Sequence, residues 1–225
     1  MDDPSLFEVL YTSRALRRFK PDPVPEEIVF QLVDAAIRAP TGHNKQDWRF
    51  VVVTDPDAKK RMQEWSERAW KAAFAEYQSD EAIDALPRTQ RLSIRGVKDL
   101  AHNLASVPLV VVVTGLRGSH SSPGGSHFPA VQNMLLAARG LGLGGSIFNL
   151  PMVGRGELYE LLGIPETNEI YCVVPIGYPT DKPGPLSRKP VKKVAYLNRF
   201  GERWPFADSQ PDDGWTSKWI NEEDT

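Results

Sequence analysis

The sequence predicts a layered domain of helices and strands, and three observations carry that prediction. Segments with helical and strand-like patterning alternate along the chain. Two uninterrupted apolar runs, "WRFVVVT" and "PLVVVVTGL", read as buried strands. The segment "FPAVQNMLLAARGLGL" is apolar nearly all round its helical projection, which suits a central helix.

Taken in order, "SLFEVLYTS" forms a short helix with Ser5 as its cap. In "PVPEEIVFQLVDAAIRAP", Ile28, Leu32, Val33, Ala36 and Ile37 recur near helical spacing. Pro25 opens that helix, the glutamates of its first turn suit the helix dipole, and Pro40 ends it. After the first strand, "DPDAKKRMQEWSERAWKAAFAEYQ" is a long charged helix carrying Trp65, Trp70, Phe74 and Tyr77. "SDEAIDALPRTQRLSIRGVKDLAHNLASV" is helical and broken at Pro87 and Gly96, and "GSHSSPGGSH" is a loop. Short strands are expected near 145–149 and 170–177, with a helix near 154–163 between them. Residues 1–225 form a single domain in this reading, with 55–105 a lid-like excursion between two core strands. The tail from 195 to 225 carries Tyr196, Phe200, Trp204, Phe206, Trp215 and Trp219, more aromatic surface than a solvated appendage needs, so a partner subunit is its natural cover.

Composition excludes several classes. A net charge of -2 and a pI near 6.1 leave no basic footprint for nucleic acid or an anionic membrane. No apolar run is long enough to span a bilayer, and "MDDPSLFEVLYTSR" lacks a basic-then-apolar signal pattern, so a cytoplasmic location is the default. The single cysteine, Cys172, lies in "IYCVVPIGY" and reads as a small buried hydrophobe. His43, His102, His120 and His127 have no zinc-ligand spacing, so no metal is expected. "GLGLGG" follows a helix and precedes a strand, the reverse of a phosphate-cradling loop, and reads as a helix cap and tight turn.

Two features exceed what a scaffold needs. The connector "APTGHNKQDWRF" spends Thr41, Gly42, His43, Asn44 and Gln46 on polar side chains and permissive backbone. The basic stretches "SRALRRF" and "SRKP" lie far apart, but guanidinium groups from both could clamp one phosphate if the fold joined them.

The stretches "SRALRRFKPDPVP", "AAIRAPTGHNKQDWRFVVV", "AVQNMLLAARGLGLGG" and "VVPIGYPTDKPGPLSRKPVKKV" occur in that order. Together they resemble the successive motifs of the nitroreductase family, FMN-dependent oxidoreductases that include the iodotyrosine deiodinase-like branch. The resemblance implies an α+β sandwich with a central mixed sheet flanked by helices. It also implies an intertwined homodimer holding FMN at its interface, where alternation alone would fit a doubly wound sheet equally well. Carried over residue by residue, Arg14, Arg17 and Arg188 would contact the FMN phosphate. Ala15 stands where many relatives have Ser and would serve through its backbone. Pro40 and Thr41 would lie along the flavin, Asn44 would hydrogen-bond it, and Gln46 with Trp48 would brace the loop. Asp47 replaces a common Pro there. Ser146, Ile147 and Phe148 fall near the ring, and Pro175, Ile176 and Gly177 match a strand end beside the cofactor.

The activity implied is electron transfer from NADH or NADPH to a small conjugated acceptor, such as a nitroaromatic or quinone, in ping-pong order. The cofactor carries the chemistry, so no catalytic acid or base is assigned. A reductive dehalogenase or flavin-consuming enzyme on the same scaffold is the alternative, as is a non-catalytic flavin-binding protein. Trp70, Phe74 and Tyr77 are spaced four and three apart and would share one face for stacking a planar acceptor; packing on the core is the competing role for that face.

Overall fold

The computed structural model describes residues 4–118, 124–182, 184 and 186–213. By their contacts the residues divide into two compact units, Ala15–Lys182 and Met1–Arg14 with Pro183–Thr225.

The larger unit is built on a four-stranded sheet of order β1-β2-β4-β3, with β1 Trp48–Val53, β2 Leu109–Leu116, β3 Gly144–Gly145 and β4 Asn168–Gly177. The resemblance implied a mixed sheet, whereas every strand pairing among the described residues is antiparallel. Helices cover both faces. One face holds Met62, Trp65 and Trp70 of α3 (Pro56–Ala73), Leu100 of α5 (Arg88–Asn103) and Leu158 of α7 (Arg155–Leu162). The other holds Leu32 and Ala36 of α2 (Glu26–Ala36) with Ala130, Val131, Met134 and Ala138 of α6 (His127–Gly140). The short α4 spans Asp80–Asp84.

Residues of β2 alternate cleanly between these layers. Val110 and Val112 enter the first, and Leu109, Val111 and Val113 the second. In β4, Cys172, Val174 and Ile176 share the second layer. Ile170, two residues before Cys172, would regularly follow them but lies in the first layer. The cause is a β-bulge: Val113 pairs with Cys172 and Thr114 with Ile170, so Tyr171 is passed over.

Three expectations are corrected here. Gly96 does not break α5, which runs through it; only Pro87 interrupts, as the residue preceding that helix. The strand expected over 145–149 is two residues long, because Phe148 leaves the sheet edge for the core and bonds through its N–H to Val173 O at 2.8 Å. Helix α3 ends at Ala73, so the aromatic spacing does not continue as one helical face.

In the terminal unit, α1 (Leu6–Thr12) starts at Ser5, whose Oγ accepts from Glu8 N at 3.2 Å. The unit also carries α8 (Pro205–Asp208) and a Lys192–Asp212 ion pair at 2.6 Å. Among the described residues no helix is long and apolar enough to cross a membrane.

Candidate functional site

Residues 15–20 run as an extended segment stitched to the sheet on its β3 side. Leu16 N–H donates to Gly145 O at 3.2 Å, Thr180 N–H to Arg18 O at 3.1 Å, and Lys20 N–H to Tyr178 O at 2.8 Å. Phe19 bridges Pro179. The close approach requires glycine on the sheet. A Cβ on Gly144 would meet Leu16 Cδ1 at 2.6 Å, and one on Gly177 would meet Pro108 at 2.8 Å and Phe19 Cβ at 3.2 Å.

This stitching sets Arg17 beside the start of the Ser146 loop. The Arg17 stem lies against α5, its Cδ 3.5 Å from where a Gly96 Cβ would be. Its Nε is buried with no hydrogen-bond partner, and burial lowers its pKa. Ser146 is 2% exposed, and its Oγ is likewise buried without a partner. Buried polar groups are nearly always hydrogen-bonded. Two such groups, one of them on the segment stitched to Gly145, make this a candidate site for a partner from outside the chain. Arg18, the next residue, contrasts with both: its Nε bonds Asp99 Oδ2 at 2.6 Å and its Nη1 reaches Asp181 Oδ2 at 3.4 Å.

The connector before β1 is held in an uncommon conformation. His43, Asn44 and Gln46 have φ of 53°, 53° and 49°, the left-handed region that costs a non-glycine residue about 1–3 kcal/mol. Side chains hold it there. Thr41 Oγ1 accepts from Gln46 N–H at 3.2 Å, and Gln46 Nε2 donates to Asn44 Oδ1 at 2.9 Å. Buried Asp47 and Trp48 anchor its far end. Gln46 thus braces the loop. Pro40, Asn44 and Gln46 are exposed and Thr41 is half-buried, so a stiff polar rim is presented outward.

Other predicted residues fall differently. Phe148 is 3% exposed within the first layer, a core residue rather than a ring contact, whereas Ile147 is exposed. Trp70 is 1% exposed in the same core and Phe74 stacks on it at 4.6 Å, so Trp70 offers no face to an acceptor. Phe74 and Tyr77 are half-buried against that layer. Arg14, exposed, and Arg188, exposed with Nη1 on Ser187 O at 2.9 Å, belong to the terminal unit. Ala15 is exposed. Sequence reasoning missed the Arg18–Asp99 pair, 81 positions apart, for which no local pattern exists.

Comparison with known proteins decides the family, since the family model described as "Nitroreductase family" matches residues 11–178. The chain belongs to the nitroreductase family. Among its relatives, NADH dehydrogenase of Thermus thermophilus is 29% identical over 196 residues, 80% of this chain and 90% of that protein. Iodotyrosine deiodinase 1 of Rattus norvegicus is 27% identical over 194 residues, 80% of this chain and 64% of that protein. A nitroreductase with bound FMN from Desulfitobacterium hafniense has the same fold, with a TM-score of 0.67 at 20% identity over 88% of this chain and 100% of that one.

Proposed function

We propose that this member of the nitroreductase family is an FMN-dependent oxidoreductase that passes electrons from NADH or NADPH to a small conjugated acceptor in ping-pong order. The orphaned Arg17 Nε and Ser146 Oγ carry the reading. Both lie at positions where the family resemblance implies cofactor contacts, and both are donors, as an anionic phosphate and the carbonyls of a flavin require. The relatives support it: one is named an NADH dehydrogenase and a solved neighbour holds FMN.

Bound FMN would supply the hydride chemistry. The chain's share is binding and orientation. Arg17 holds the phosphate in the larger unit, and Arg14 and Arg188 keep the phosphate role that the family resemblance implies. Ala15 contributes backbone beside Arg14. Ser146, Ile147 and the rim of Pro40, Thr41, Asn44 and Gln46 fix the ring, and the hydrogen bonds within the rim spare the cofactor the cost of ordering it. Tyr77, with the outer edge of Phe74, borders the acceptor.

A homodimer is part of this proposal. In the terminal unit Leu6, Phe7, Val194, Phe200 and Phe206 are exposed, Phe200 at 93%, an apolar surface that a second copy would cover. Trp215 and Trp219 lie outside the described residues. The similarity to a deiodinase favours reductive dehalogenation as the second reading.

The test is the absorption spectrum of the purified protein before and after anaerobic NADH or NADPH. A flavin spectrum bleached by one of them is expected. A colourless protein that binds no added FMN overturns the reading, and a yellow one that neither nicotinamide bleaches supports a non-catalytic flavin protein instead.

A further inference from the structure

Two adjacent arginines on the 15–20 segment meet the same face of one helix with opposite outcomes. Gly96 and Asp99 of α5 are three residues apart, hence neighbours on that face. Arg17 lies against Gly96 and keeps an unpartnered Nε. Arg18 takes Asp99 at 2.6 Å and reaches across to Asp181 at 3.4 Å. One guanidinium therefore occupies both carboxylates, which its fan of donors permits and a lysine's point charge would not reproduce. Without it, an acidic group would stand one helical turn from the only arginine of this unit proposed to hold phosphate.

We propose that Arg18 is a positioning residue whose role is to occupy Asp99, so that the Arg17 guanidinium stays unpaired for the phosphate of the cofactor. The inference rests on the FMN reading above. It differs from a simple strut in one respect: a strut is lost when either partner is removed, whereas an occupier is needed only while the carboxylate is present. Removing Arg18 alone frees Asp99 to draw Arg17 toward itself, in competition with phosphate. Removing both leaves Arg17 as it was.

The experiment titrates the flavin-free, full-length chain with FMN and with riboflavin, which lacks the phosphate, for wild type, Arg17→Met, Arg18→Met, Asp99→Asn and the double variant Arg18→Met/Asp99→Asn. The readout is the preference for FMN over riboflavin. Arg18→Met is expected to lower that preference roughly tenfold or more, as loss of a charge-assisted bond would, with riboflavin affinity unchanged. The double variant is expected to recover it, and Asp99→Asn to keep it. An unrecovered preference in the double variant makes the pair a strut and overturns the inference. So does a full preference in Arg18→Met when Arg17→Met has lost it. Should Arg18→Met not fold, Asp99→Asn decides, because a weakened FMN preference there is incompatible with the carboxylate being a competitor. A full preference retained by Arg17→Met overturns the phosphate reading itself, and this inference with it.

Discussion

Arg17→Met should move two measurements in opposite directions. The substitution keeps a stem that packs beside Gly96 and removes a guanidinium whose Nε is buried and unpartnered. Leaving such a donor unsatisfied costs about 1–3 kcal/mol. The flavin-free chain should gain that amount, and for a chain of this size its melting temperature should rise by roughly 2–12 °C. FMN binding should lose a charge-assisted bond of about 1.5–3 kcal/mol, which weakens it roughly 10- to 150-fold. Scanning calorimetry of the flavin-free form and a flavin titration read the two effects separately. A lower melting temperature together with unchanged FMN affinity would refute the reasoning, since Arg17 would then be a structural residue with a partner in the chain.

Gly115→Ala should destabilise the fold by about 1–3 kcal/mol or more: its Cβ would come within 1.9 Å of Nε2 of His127, which is buried and stacked on Tyr171 at 4.0 Å, and urea unfolding should show a lower midpoint at constant slope. Trp70→Ala should cost about 3–5 kcal/mol as a cavity in the core, whereas Tyr77→Ala should spare stability and flavin reduction and alter only the acceptor half-reaction, which stopped-flow resolves. Cys172, its thiol pushed up to about 12 by burial, should resist iodoacetamide in the native chain at pH 8 and react on unfolding. Because the folded pKa is the higher one, the thiol's share of stability is intact below the ordinary thiol value of 9.0 and is lost as pH rises toward 12, a decline that Cys172→Ala should remove.

Long apolar runs made β2 and most of β4 readable, because strands buried on both faces leave little room for polar residues. The run of β1 was read as buried too, but it is an edge strand with Arg49 and Val52 exposed and Phe50 and Val51 half-buried. The edge strand β3 was misjudged in length: its two glycines pair, and the next residues serve a loop and the core. Gly96 misled because a glycine inside a helix costs only about 1 kcal/mol, less than the packing of α5 recovers through Leu100 and Ala101. At the site, the basic and loop motifs were visible because phosphate and flavin demand distinctive side chains in short stretches. Which arginine is left unpartnered was not visible, since that depends on Asp99 and Asp181, brought from 81 and 163 positions away.

The bulge at Tyr171 makes pairing register at that point as consequential as residue type. A strand is a two-phase ladder, and one extra rung exchanges the phases of everything beyond it. Here the exchange sends Ile170 into the layer opposite Cys172 and leaves Tyr171 to stack on His127. Substitutions at 171 would alter one contact. Deleting that single residue would remove the bulge yet leave Ile170 opposite Thr114 in its present layer, whereas pairing the full sequence without a bulge would move Ile170 to the layer of Cys172 and set Glu169, ion-paired with Arg155 and Arg117, against the opposite layer. The bulge, and not the side chain it carries, thus decides which layer the first rungs of β4 fill.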